Sequence, residues 1–93
     1  MKKEQGFNSV WDALEDTPQE AENMKIRSHL MMAISDHLEK SDNTQTMKAK
    51  KLGITQPRLN DLLKGRINKF SLDALVSIAI NAGLSVSIDA KAA

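Results

Sequence analysis

The run from Asn43 to Gly65 leaves this chain little choice of fold, because it encodes two short helices joined by a tight turn at Gly53. Thr44 is placed to cap the first helix, its hydroxyl accepting an orphan backbone N–H of the opening turn. Gln45 to Leu52 then carry one turn-spaced apolar row, Ala49 and Leu52 backed by Met47. Gly53 stands where a left-handed residue is wanted, a conformation glycine takes without a Cβ penalty. Ile54 is a natural plug between the helices. Thr55 caps the second helix, and Pro57 falls in its first turn, where a missing N–H costs nothing. Gly65 ends that helix as Gly53 ended the one before.

Periodicity decides which face of the second helix stays free. At roughly 100° per residue, Leu59, Leu62 and Leu63 gather on one side. Pro57, Asn60, Asp61 and Lys64 fall opposite, flanked by Gln56 and Arg58. A helix packed by leucines and offering Gln, Arg, Asn and Lys outward suits the base edges and phosphates of a DNA major groove. The plainer reading is an amphipathic helix with a solvated polar face. Charge separates the two. Residues 1–43 hold five basic and nine acidic side chains, whereas residues 44–69 hold seven basic (Lys48, Lys50, Lys51, Arg58, Lys64, Arg66, Lys69) and one acidic, Asp61. The basic excess therefore coincides with the helix pair and the loop after it, the pattern that neutralises phosphates. A basic face that meets only solvent is the alternative.

Ninety-three residues make one domain with a small core. Apolar residues at 41% and charged residues at 27% are ordinary for a soluble globular chain. Cysteine is absent, so disulfides and thiolate metal sites are excluded. No apolar run approaches the roughly 20 residues of a membrane span, and no signal-peptide core opens the chain. The expected location is cytoplasmic, nucleoid-associated when bound to DNA.

The remaining sequence reads as scaffold. Thr17-Pro18-Gln19-Glu20 is a capping box with proline at the first helical position. A helix should run from there to about Lys40, its core row Ile26, Leu30, Ile34 and Leu38 with Met31 beside it. Ser71 caps a last helix in which Leu72, Leu75, Val76, Ile78, Ala79 and Ile80 make the most apolar stretch, ended by Gly83. Leu84 to Asp89 then alternates apolar and polar, the period of a half-buried strand. A lone strand leaves backbone groups without partners. The same strand of a second copy would satisfy them through Leu84, Val86 and Ile88 and give a two-fold dimer; a strand of another protein, or a frayed tail, are the alternatives.

These residues carry a resemblance. From Thr44 to Leu84, through Gln45, Ala49, Gly53-Ile54, Thr55-Gln56-Pro57-Arg58 and Asp61-Leu62-Leu63-Lys64-Gly65, the chain resembles the Xre family of lambda-repressor-like domains. Asn68 to Leu75 and Ala82-Gly83-Leu84 are similar to the subfamily that includes HigA-like antitoxins of type II toxin–antitoxin modules. Asn8 to Leu14 resembles a short segment that precedes the domain there. The resemblance implies an all-α, lambda-repressor-like helix-turn-helix bundle of four to five helices with a short C-terminal β-strand. Residues 1–16 would be an N-terminal segment with a short helix, and residues 17–93 the domain itself.

It also implies roles. Thr44, Gln45 and Thr55, at helix N-termini, would meet phosphates. Gln56 stands where the family places a base reader, and glutamine pairs bidentately with adenine. Asn60 and Asp61 would also face the groove, Asp61 accepting from a cytosine amine or fixing register by repulsion. Pro57 departs from a polar residue common at its position and offers only apolar contact. Arg58, Lys64, Arg66 and Lys69 are phosphate candidates, with Arg58 able to reach a base if the helix tilts.

Other constellations are weaker. His29 and His37 lie two turns apart without a third ligand, which reads as surface or packing histidines and not as a metal site. No nucleophile–base–orienter set can be argued from spacing, so no enzyme and no cofactor are expected. Trp11 either covers the core or anchors a toxin partner. Two functions follow. One is a sequence-specific repressor that binds double-stranded DNA as a homodimer, an autorepressing antitoxin or a standalone Xre-type regulator. The other is a toxin-neutralising module with weak or no DNA binding, its acidic first third complementing a small basic ribonuclease-like protein.

Overall fold

A computed structural model of the chain describes residues 17–92. Four α-helices run in order: α1 over Pro18–Glu39, α2 over Gln45–Leu52, α3 over Gln56–Leu63 and α4 over Leu72–Asn81. A single 3₁₀ turn, Ile67–Lys69, joins α3 to α4. The fold is an all-α helix-turn-helix bundle. The short helix expected within residues 1–16 lies outside the described residues, as does Trp11.

Each helix begins where a hydroxyl is placed to stop the chain from fraying. Thr17, Thr44, Thr55 and Ser71 all have extended backbone, and each side chain accepts the N–H three residues on, at 3.1, 3.2, 3.3 and 3.1 Å. Caps of this type stabilise by about 1 kcal/mol each. Gly53 ends α2 at φ 74°, with its N–H on the Lys50 carbonyl and the Ile54 N–H on the Ala49 carbonyl. The Gly65–Arg66 pair repeats this arrangement after α3, on the carbonyls of Leu62 and Asp61. This double closure satisfies carbonyls that a helix end would otherwise leave open.

One core joins all four helices. Met31, Ile34 and Leu38 from α1 meet Ala49 and Leu52 from α2, Leu59 and Leu62 from α3, and Leu75, Ile78 and Ala79 from α4, with Phe70 and Ala82 completing it. α1 packs along α4 and also touches α3 and the 3₁₀ turn, so the long helix is the base on which the helix pair is mounted. Ile34, Leu52, Leu59, Leu62 and Leu75 are the largest fully buried side chains. Ile26 and Leu30, expected in the core row of α1, are half-buried at its edge.

Three packing expectations are corrected. Met47 does not back Ala49 and Leu52 but is exposed, because it lies nearly opposite Leu52 around a helix of two turns. Leu63 is also exposed, lying beside Gln45, Gln56 and Asn60 on the surface while Leu59 and Leu62 are the residues of α3 that are buried. The strand expected over Leu84–Asp89 is not formed; no strand occurs among the described residues. The alternation is nonetheless physical: Leu84 and Val86 pack against the core, while Ser85 and Ser87 face solvent. Ile88 breaks it, remaining 65% exposed. A ladder needs a second strand, and among the described residues Ser85–Asp89 make no backbone hydrogen bond.

Candidate nucleic-acid interface

The turn at Gly53 sets α2 and α3 so that residues from both helix N-termini share one face. Gln45 from α2 and Gln56, Asn60 and Leu63 from α3 line a single shallow crevice, floored by Leu59. All but Leu59 are exposed. Three amide side chains, Gln45, Gln56 and Asn60, thus converge beside the capping hydroxyls Thr44 and Thr55. Donors and acceptors in this number, two of the amides at the positive ends of helices, suit base edges and phosphate oxygens.

Gln56 does not hang free. Its Nε2 donates to Thr46 Oγ1 at 2.9 Å, across ten residues. The amide still has a second hydrogen and a carbonyl oxygen to offer, and its plane is fixed before any ligand arrives. Nothing in the sequence marks Thr46 out, because one hydroxyl in the first turn of a helix is an ordinary occurrence.

Arg58 and Asp61 are placed differently from the groove-facing expectation. Arg58 is half-buried, its guanidinium 4.4 Å from the centre of the Phe70 ring and its Nη1 donating to the Lys69 carbonyl at 3.2 Å. Asp61 forms a salt bridge with Arg66, Nη1 to Oδ1 at 2.8 Å, its side chain 20% exposed. Both lie on the flank of α3 that turns toward the following loop, where a cation over an aromatic face and a charge-assisted bond are each favourable. Lys64 and Lys69 are exposed and form no ion pair among the described residues. Lys50 and Lys51 are exposed on α2, with Lys48 half-buried.

Two further side chains hold the site together. Arg27 of α1 donates from Nη1 to the carbonyls of Ile67 and Phe70, at 3.2 Å each, while its Nε donates to Asn23 Oδ1 at 2.7 Å. Asn81 at the end of α4 donates from Nδ2 to the Leu52 carbonyl at 3.0 Å, directly beneath the α2 terminus. A signal for Arg27 exists in the sequence: it sits seven residues before Ile34, so it extends the buried row of α1 with a charge. Phe70, 2% exposed, precedes the Ser71 cap and lies five residues before Leu75, the spacing of a hydrophobic staple.

With this geometry in view, the chain matches the model of a helix-turn-helix domain family over residues 13–91, and it belongs to that family. The match begins ahead of Thr17 and takes in α1 to α4 and most of the C-terminal segment. No curated protein matches the chain. Family and geometry together support DNA binding. Among the described residues no helix is long and apolar enough to cross a membrane.

Proposed function

We propose that the protein is a sequence-specific transcriptional regulator that sets α3 into the major groove of operator DNA as a two-fold dimer. The observation that carries this reading is the convergence of Gln45, Gln56 and Asn60 on one exposed face of the helix pair. The surrounding basic excess, with Lys64, Arg66 and Lys69 next to the end of α3, supplies the electrostatic part. Gln56 reads a base, Gln45, Thr44 and Thr55 fix the phosphates, and the loop cations add affinity without sequence preference. Pairing of the Leu84–Asp89 segment with its own copy would bring together two recognition helices for a palindromic site.

The likeness of the Thr44–Leu84 run to Xre domains and HigA-like antitoxins supports an autorepressing antitoxin as the biological setting. Fluorescence anisotropy on the gene's own upstream DNA and on a shuffled duplex, each at two salt concentrations, tests the reading. Tight binding confined to the upstream DNA is expected. Equal, salt-sensitive binding to both duplexes, or none, would defeat it.

A second function is favoured by the acidic balance of residues 1–43. That segment, with Trp11 as an apolar anchor, complements a small basic ribonuclease-like toxin. Trp11→Ala should then weaken the toxin complex and leave DNA affinity unchanged; the reverse outcome would remove Trp11 from the toxin interface.

A further inference from the structure

We infer that Arg27, on a helix outside the helix-turn-helix, is a positioning residue for the basic loop that follows α3; this rests on the DNA-binding reading above. The loop from Gly65 to Phe70 carries two of the exposed cations assigned to phosphates, Arg66 and Lys69. At its start the loop is tied to α3 by the Gly65 and Arg66 N–H groups and closed by the Ile67 N–H on the Gly65 carbonyl at 2.8 Å. From there to Phe70 its own backbone bonds are those of a single 3₁₀ turn, Lys69 N–H on the Arg66 carbonyl at 3.0 Å and Phe70 N–H on the Ile67 carbonyl at 3.3 Å. A turn of this kind is weak by itself.

Two guanidiniums from two different helices supply what the turn lacks. Arg27 takes the carbonyls of Ile67 and Phe70, and Arg58 takes the carbonyl of Lys69 while stacking on the Phe70 ring. Asn23, one turn before Arg27, accepts from Nε and fixes the plane of the fork. The planarity matters, since a lysine ammonium is a point charge without a fork to be oriented. A lysine or arginine on a fixed backbone neutralises a phosphate with less ordering cost than one on a loose backbone. Arg27 therefore acts on DNA affinity through Arg66 and Lys69 and contributes no contact to a base.

The test compares wild type, Arg27→Met, Arg27→Lys and Asn23→Ala by amide hydrogen exchange of the free protein and by anisotropy with cognate and shuffled duplexes. In Arg27→Met the Lys69 and Phe70 amides should exchange about tenfold faster, with the Leu59 and Leu75 amides unchanged. Affinity should fall by the same factor, about tenfold, for both duplexes, as expected of phosphate contacts. Arg27→Lys should restore part of each effect. Lys69→Ala should cost less in the Arg27→Met background than in wild type, because one acts through the other. Full additivity would overturn the inference and make Arg27 a phosphate contact in its own right. Unchanged loop exchange would overturn the anchoring. Should Arg27→Met not fold, Asn23→Ala, an exposed helix substitution, carries the same test with a smaller rise in loop exchange. Should the wild type bind neither duplex, the DNA reading and Arg27's part in it both fall, and loop exchange alone decides the anchoring.

Discussion

Gln56 Nε2 lies 2.9 Å from Thr46 Oγ1, so the first residue of α3 is fastened to the helix before it. The consequence for readout is direct: a pre-oriented amide spends less entropy on meeting a base than a free one. Gln56→Ala should cost roughly 1–3 kcal/mol on the cognate site and relax one base position. Thr46→Val should cost less, and nothing further once Gln56 is already alanine. Anisotropy on a set of singly substituted duplexes measures both, and unchanged affinity and base preference in Gln56→Ala would take that residue out of readout.

Lys64 caps the end of α3, and its side chain is exposed and forms no ion pair among the described residues. Lys64→Ala should weaken binding to every sequence alike and lower the salt slope by about 1. A loss confined to one duplex would assign it to base reading instead.

Arg58 is bound up with Phe70 and the Lys69 carbonyl. Arg58→Met should lower unfolding stability by about 1–2 kcal/mol, through one stacked cation and one hydrogen bond, and should leave base preference intact. Urea unfolding and the same duplex set decide this. A shift in preference at a single position would put Arg58 back in the groove.

Gly53 at φ 74° is the hinge of the helix pair. A Cβ there would meet Asn81 Nδ2 at 3.5 Å, an ordinary contact, so the penalty for Gly53→Ala is conformational and not steric. It should destabilise by about 1–2 kcal/mol, with Gly53→Asn costing less because asparagine tolerates the left-handed region better. Equal thermal midpoints for the two variants would contradict this account.

Leu62 is fully buried beneath α3, and Leu62→Ala should cost about 2–5 kcal/mol. Leu63→Ala, one residue on and exposed, should cost far less. Chemical denaturation of the pair would show whether α3 is seated on the face described.

The helix limits were legible because they are written in local chemistry. Thr17, Thr44, Thr55 and Ser71 announce four starts, and Gly53 and Gly65 announce two stops, each by a mechanism that needs no knowledge of distant residues. The side of α3 that faces out was legible for Gln56 and Asn60 but not for Leu63, Arg58 or Asp61. Leu63 lies at the surface crevice that α3 shares with Gln45 of α2, and how the two helices are set against each other is not given by periodicity. Arg58 and Asp61 depend on where the chain goes after Gly65, bringing Phe70 and Arg66 to the flank of the helix. The Leu84–Asp89 alternation reported burial correctly at Leu84 and Val86, but alternation records faces, and a strand also needs a neighbour. Spacing marks Arg27 as an inward-facing member of the α1 row, but the carbonyls that Arg27 and Asn81 reach, 40 and 29 residues away, have no signature in the sequence.

Arg27 and Arg58 grip the loop through carbonyl oxygens, which are neutral, and no carboxylate pairs with either guanidinium among the described residues. Their positive charge is therefore left in the field around α3, where a carboxylate anchor would have cancelled it. Salt that screens lysines from phosphates acts more weakly on a bond to a neutral dipole, and the two Arg27 bonds are also partly buried. A surface held this way would let go of a duplex as ionic strength rises while keeping its shape, and would need no rebuilding step to return to it.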